Sequence, residues 1–264
     1  MRRLALFAVL VTVTGCAGAG ERLVIAAGTT VVGSGLMDHL ASSYESTHPG
    51  VEVSVIAQPT LLGLELGRQR AVDMVVSHAP DLEAQFIAEG WSVSDEVVFH
   101  SRFVLVGPPA AGDRFAGWEG PEVLRMIAAA GDVFVGRRDG SGTAAVEELL
   151  WLEAGIDPQG ADWYVVTGTG MGPTLQVTDQ RGGYTLSEQG AFLAAVPTIE
   201  LVDLEIDPEG LANPYRAMVV EGAAAESVAL DFLLWLSGED GRRAIAEASR
   251  AIFGADIYVP GPPS

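Results

Sequence analysis

An α/β fold with a largely parallel sheet is predicted by three features of this 264-residue sequence. Short apolar runs alternate with stretches of helical periodicity, 32 Gly and 14 Pro punctuate the junctions, and hydrophobic residues make up 48% against 19% charged. That composition supports a substantial core and excludes a disordered tail, and the length suits one large domain or two ordinary ones.

In order, Leu23 to Ala27 reads as a buried strand. Leu36, Leu40 and Tyr44 recur at helical spacing up to the Pro49-Gly50 stop, and Val51 to Ala57 forms a second strand. A helix from Leu61 to Arg70 leads to a strand at Met74 to Val76, and Asp81 is expected to cap a helix from Leu82 to Ala88 that stops at Gly90. Phe103 to Val106 is a strand closed by Gly107-Pro108-Pro109. The middle repeats the scheme, with a helix at Glu122 to Ala130, a strand at Val133 to Val135 and a helix at Thr143 to Glu153. A glycine-rich passage spans Thr167 to Gly172, and Ser187 is expected to cap a helix reaching Leu193. Strands at Leu201 to Leu204 and Ala217 to Val220 precede helices at Ser227 to Ser237 and Glu239 to Ala248.

The first residues stand outside this pattern. Arg2 and Arg3 precede an apolar run from Leu4 to Val13, and Gly15-Cys16 follows. A charged start, a short apolar stretch and a small-residue exit form an export signal, too short to span a bilayer as a mature helix. The segment resembles a bacterial lipoprotein signal, which implies cleavage before Cys16 and lipidation of its thiol. The expected protein is exported and membrane-anchored, periplasmic or at the cell surface. Cys16 is the single cysteine, which excludes disulfides within the chain and Cys-based metal sites.

All fifteen basic residues are Arg, set against thirty-five acidic ones for a formal charge of −20. The absence of lysine excludes a P-loop lysine, Schiff-base chemistry and kinases built on a strand lysine. The acidic balance excludes nucleic acid as a general partner. The four histidines lack metal-ligand spacing, so structural roles are expected for His39, His48, His78 and His100.

Polar chemistry concentrates where strands give way to helices, the usual ligand position of an α/β sheet. Gly136-Arg137-Arg138-Asp139-Gly140-Ser141-Gly142-Thr143 delivers a guanidinium, two hydroxyls and glycine amides to a helix start, where anions bind readily. The same residues also describe a turn with a capping serine and a surface Arg–Asp pair. Thr29 and Thr30 follow the first strand and Thr60 the second, so three junctions present donors. Any one of these is more often a helix cap; together with an arginine they predict a donor-rich, carboxylate-poor pocket suited to an oxyanion without a proton. Gly168-Thr169-Gly170-Met171-Gly172 has its third glycine at the wrong spacing for a dinucleotide loop and is expected to be a tight loop that offers amides. A hydrolase using Ser141 is the competing class, but no G-x-S-x-G elbow and no marked partner support it.

Several short segments together resemble the substrate-binding proteins of tungstate ABC transporters, relatives of the molybdate-binding proteins. They are Leu64 to Arg68, Ser77-His78-Ala79-Pro80-Asp81, Phe103 to Pro108, Arg137 to Thr143, Trp163-Tyr164, Thr167 to Leu175, Tyr184 to Ser187 and Asn213-Pro214-Tyr215. The resemblance implies a type II periplasmic-binding-protein fold, two α/β lobes with the ligand in the cleft between them. Lobe one would hold residues 21–107 and 214–264 and lobe two residues 108–213, with crossings near Phe103 to Pro108 and Asn213 to Val220. It also implies a monomeric, non-catalytic protein without cofactor or metal, which captures tungstate or a similar oxyanion such as molybdate for a membrane permease. The implied ligand residues are Thr29, Thr30, Thr60, Arg137, Ser141, Gly142 and Thr143, with Asp139 orienting the arginine. The chain departs from the family pattern at Ala27-Gly28, at Pro59 to Leu62 and at Gly136, where the family has further hydroxyl or amide side chains. The lobe-two half of the site is therefore the better supported, and a different small anion or polar solute is the alternative ligand.

Overall fold

The computed structural model describes residues 20–207 and 211–263. The expected export segment and Cys16 lie outside the described residues.

The chain opens with β1 (Glu21–Gly28), a short helix α1 (Thr29–Gly33), α2 (Leu36–Thr47), β2 (Val51–Gln58), α3 (Thr60–Arg68), β3 (Met74–Ser77) and α4 (Pro80–Ala88). The long strand β4 (Ser92–Gly107) leads into the middle segment, formed by α5 (Gly120–Ala130), β5 (Phe134–Gly136), α6 (Gly142–Ala154), β6 (Tyr164–Val166), α7 (Met171–Arg181), β7 (Thr185–Glu188), α8 (Gln189–Ala195) and β8 (Val202–Asp203). The chain returns through β9 (Ala212–Val220) and closes with α9 (Glu226–Ser237), α10 (Glu239–Phe253) and β10 (Val259–Pro260).

Strands β1, β3 and β9 bury both faces, because successive side chains point to opposite sides of a sheet. Leu23, Ile25 and Ala27 of β1, Met74 and Val76 of β3, and Tyr215, Ala217 and Val219 of β9 join α2, α9 and α10 in one core. Ala26, Val75, Met218 and Val220 face the other way, toward Leu64 of α3 and Phe86 of α4. The middle segment repeats the arrangement around the end of β4. Phe103 and Leu105 pack with α5 and α6, while Val104 and Val106 pack with α7 and α8.

The sheet is mixed rather than largely parallel. β1 pairs in parallel with β2 and β3, and β5 with β6. The antiparallel pairs all involve β4 or β9, the strands that carry the chain between the two halves. β4 changes partner between Arg102, which opposes Ala212 of β9, and Phe103, which opposes Glu188 of β7.

Three local expectations are corrected. Asp81 does not cap α4: Ala79 holds that position without a side-chain bond, and the buried Glu83 accepts the Ala79 amide at 2.8 Å. Ser187 is a strand residue of β7, and Glu188 caps α8 by accepting from the Ala191 amide at 2.9 Å. The strand expected at Phe103 to Val106 is the last part of β4, whose first eleven residues are held by β9. The glycine-rich passage runs directly into α7, which opens at Met171 after Gly170.

Candidate functional site

The loop after β5 is organised by its own side chains before any neighbour is considered. Asp139 accepts from Arg137 Nη2 at 2.6 Å through one oxygen and from the Ser141 amide at 3.2 Å through the other. Ser141 Oγ then accepts from the Ala144 amide at 3.3 Å and caps α6. Its hydroxyl proton stays free to donate, since a serine oxygen accepts and donates at once. The capping serine of the bland reading is thus real, but the Arg–Asp pair is no surface pair: the Arg137 side chain is 0% exposed and that of Asp139 9%.

The ends of three first-half strands close over this loop. After β1, Thr29 Oγ1 accepts from Arg137 Nη2 at 3.3 Å. After β2, the Leu61 amide at the start of α3 donates to the Gly140 carbonyl at 3.2 Å, which brings Thr60 to the loop. After β3, His78 lies against Gly142, where an added Cβ would sit 2.7 Å from the His78 carbonyl oxygen and 2.8 Å from Nε2. Only glycine admits that approach. From the middle segment, the Thr169 carbonyl accepts from Arg137 Nε at 3.3 Å. Thr30 is set apart, its hydroxyl 3.4 Å from that of Tyr215 on β9.

Three polar atoms in this seam are buried without a hydrogen-bond partner: Arg137 Nη1, Thr60 Oγ1 and Thr143 Oγ1. Each belongs to a residue singled out from sequence. A buried donor without an acceptor costs about 1–3 kcal/mol, more when charged, so their concentration in one seam marks a place built for an acceptor. No free carboxylate oxygen competes at the loop, because both Asp139 oxygens are engaged. A cleft of about 360 Å³ opens along the seam beside Thr29 and Thr30 on one side and Gly170 and Met171 on the other.

Two buried titratable residues flank the seam, and sequence reasoning singled out neither as functional. His78 Nδ1 lies 2.8 Å from Asn213 Oδ1 of β9 and its ring stacks on Tyr215. Burial, helped by the Arg137 charge and opposed by the Asn213 bond, lowers its pKa to about 4. Glu147, one turn after Thr143 on α6, is 2% exposed and accepts from the Tyr164 hydroxyl at 2.6 Å and the Arg137 amide at 3.4 Å. Burial raises its pKa to about 7 against the pull of these hydrogen bonds. Its spacing of i+4 from a site hydroxyl does not separate it from the adjacent Glu148 in the sequence. No cluster of His, Cys, Asp and Glu suited to a metal ion exists among the described residues.

Comparison with known proteins bears on this geometry. The profile of the PBP (periplasmic-binding-protein) superfamily domain matches residues 15–239. A Haloferax volcanii protein, provisionally named an ABC transporter anion-binding protein, is 33% identical over 256 residues, covering 92% of this chain and 73% of its own. The tungstate-binding protein TupA of Peptoclostridium acidaminophilum is 30% identical over 247 residues, 90% of this chain and 85% of the relative. Among solved structures, the tungstate ABC transporter protein of Geobacter sulfurreducens superposes with a TM-score of 0.76 at 36% identity, covering 86% of this chain and 98% of the other.

Proposed function

Because the chain belongs to the periplasmic-binding-protein superfamily, we propose that it is the extracytoplasmic binding protein of an ABC importer for tungstate or a similar tetrahedral oxyanion such as molybdate. Its role is capture, not catalysis. The observation that carries the ligand class is the trio of unpartnered buried atoms, Arg137 Nη1, Thr60 Oγ1 and Thr143 Oγ1. An unprotonated dianion offers only acceptors, so it matches a site whose remaining capacity is donation. The names of the relatives support tungstate within that class.

In this reading Arg137 supplies the formal charge and Asp139 fixes its plane. Thr60 and Thr143 donate hydroxyl protons from opposite halves, Ser141 and the Gly142 amide add donors at the α6 N-terminus, and Thr29 and Thr30 border the approach. Each hydrogen bond to a charged oxygen contributes roughly 1.5–3 kcal/mol net, so several reach about micromolar affinity after the cost of closure. A ligand that bonds both halves favours the closed arrangement by its extra contacts there. The proposed lobes are residues 21–107 with 214–264, and residues 108–213. Lipidation of Cys16 and anchoring at the membrane complete the proposal, on the strength of the Arg2-Arg3 start and the apolar run before Cys16.

Calorimetric titration with tungstate, molybdate, sulfate and phosphate tests the reading. Saturable one-site binding of tungstate or molybdate is expected. Absence of heat and of any thermal shift with all four anions would overturn it. Binding of phosphate alone would favour the second reading, the same fold around a different small anion, for which the departures at Gly28, Pro59 and Gly136 speak.

A further inference from the structure

Beside the oxyanion loop, one turn along α6 from Thr143, a second polar centre is built around Glu147. Its carboxyl has neutral donors as partners: the Tyr164 hydroxyl at one oxygen and the Arg137 backbone amide at the other. The Arg137 guanidinium bonds Asp139, Thr29 and Thr169 through Nη2 and Nε, and no ion pair involves Glu147 among the described residues. Gly136 makes this arrangement possible. A Cβ there would fall on the Tyr164 hydroxyl and lie 2.5 Å from Glu147 Oε1, so any side chain at position 136 would displace the pair.

Such a carboxyl meets an electrostatic conflict when a dianion enters the seam. Its Oε2 accepts from the amide of the residue whose guanidinium is to hold the ligand, and its helix places it one turn below the Thr143 hydroxyl. An ionised Glu147 and a bound dianion are like charges separated by a poorly solvated layer, where repulsion is strong. The groups facing Glu147 offer little relief. They are Tyr164 on β6, the Trp151 indole and the acidic Glu148 on α6, and Arg138, whose charge acts on Tyr164. On the seam side, the titratable groups near Arg137 are Asp139, bonded to its guanidinium, and His78.

A proton has a route to this carboxyl. Tyr164 is only partly buried and lines a cleft of about 410 Å³ with Arg138 and Gln159, outside the oxyanion seam. A protonated Glu147 can donate to the Tyr164 oxygen while the tyrosine turns its own hydrogen toward that cleft.

We propose that Glu147 is a positioning residue of the oxyanion site which is neutral whenever the anion is held, so that capture takes up one proton from solution through the Tyr164 side. The inference rests on the oxyanion reading above. Burial already places Glu147 near half-ionisation at about pH 7, and a bound dianion shifts it further toward the protonated form. Below that pH the carboxyl is neutral with or without ligand and affinity is flat. Above it, affinity falls as the proton must be recovered.

The test titrates the full chain with tungstate at pH 7.5 in two buffers of different ionisation enthalpy, then follows the dissociation constant from pH 6 to 9. Net uptake of more than half a proton is expected, with affinity weakening about tenfold for each pH unit above 7 and about a hundredfold by pH 9. Glu147→Gln keeps the side-chain shape and should abolish both effects while still binding tungstate. Tyr164→Phe removes a donor that favours the ionised carboxyl, so the fall in affinity should begin at a higher pH than in the wild-type chain, and an unshifted profile would overturn the inference. Tungstate binding without proton uptake in the wild-type chain overturns this inference and leaves the oxyanion reading standing. Uptake that persists undiminished in Glu147→Gln also overturns it and places the proton on another group. Failure of every oxyanion to bind overturns both.

Discussion

The two sides of the seam solve the same task differently. On the α6 side, residues 137–143 form one continuous loop whose geometry is fixed by internal bonds, with Asp139 joining Arg137 to the Ser141 amide and Ser141 capping the helix. On the opposite side, Thr29, Thr60 and His78 come from the ends of three separate strands, and their contacts with the loop are a 3.3 Å bond, a neighbouring amide bond and a close approach. One side is preorganised and carries the charge; the other brings scattered donors whose positions depend on how the halves meet. Under the proposed function, that division would give recognition of charge to the loop and response to the ligand to the facing strand ends.

The largest effect should come from breaking the preorganised side. Arg137→Ala removes the guanidinium and should weaken tungstate binding at least tenfold, and by about a hundredfold if two charge-assisted bonds are lost. Calorimetry measures the loss, with circular dichroism verifying the fold. An equal loss from Thr29→Ala would erase the distinction between the sides.

A second test uses the buried imidazole opposite the loop. His78 has a folded pKa lowered to about 4 from 6.5, so its contribution to stability is present above pH 6.5 and is lost as pH falls toward 4. For a shift of this size, the linked loss is about 2 kcal/mol by pH 5. Denaturant titrations of the wild-type chain and His78→Gln at pH 7.5 and 5 measure it, and the variant should lose less on acidification. The ligand-free protein should therefore loosen in acid from the strand-end side first.

The smallest effect compares the two unpartnered hydroxyls directly. Thr60→Val and Thr143→Val keep the shape and remove one donor each, so either should weaken tungstate binding about tenfold. Neither should destabilise the ligand-free protein, because the hydroxyl removed is a buried group without a partner. A loss of stability beyond about 1 kcal/mol in either variant would show that its hydroxyl is already satisfied.

The contrast between the sides also explains what could be read from the sequence. Arg137 to Thr143 is contiguous, so its donors, its acid and its helix start could be read together. Thr29 and Thr60 could be identified only as members of a pattern, and Thr30, which points to Tyr215, shows that neighbours in sequence need not share a face. Strands β1, β3 and β9 were legible as short apolar runs because each buries apolar residues on both sides. The first eleven residues of β4 were hidden by their polar alternation, since what holds them is β9, more than a hundred residues away. The misplaced caps have a similar origin. The pleat of β7 commits Ser187 to the strand and leaves Glu188 facing α8, while Ala79 loses its claim on Asp81 to the buried Glu83. His78 and Glu147 were unreadable as functional residues because burial of a lone titratable group is decided by distant packing partners, here Asn213 and Tyr215 for one and Tyr164 for the other.

The central claim is that Arg137 Nη1, Thr60 Oγ1 and Thr143 Oγ1 lack partners because an oxyanion is their partner. A crystal of the chain grown with tungstate, with the tungsten located by its anomalous scattering, tests this most directly. The account predicts one metal-centred peak in the seam with its oxygens within hydrogen-bond distance of all three atoms. A fully occupied peak elsewhere, with those atoms still unpartnered, would contradict it.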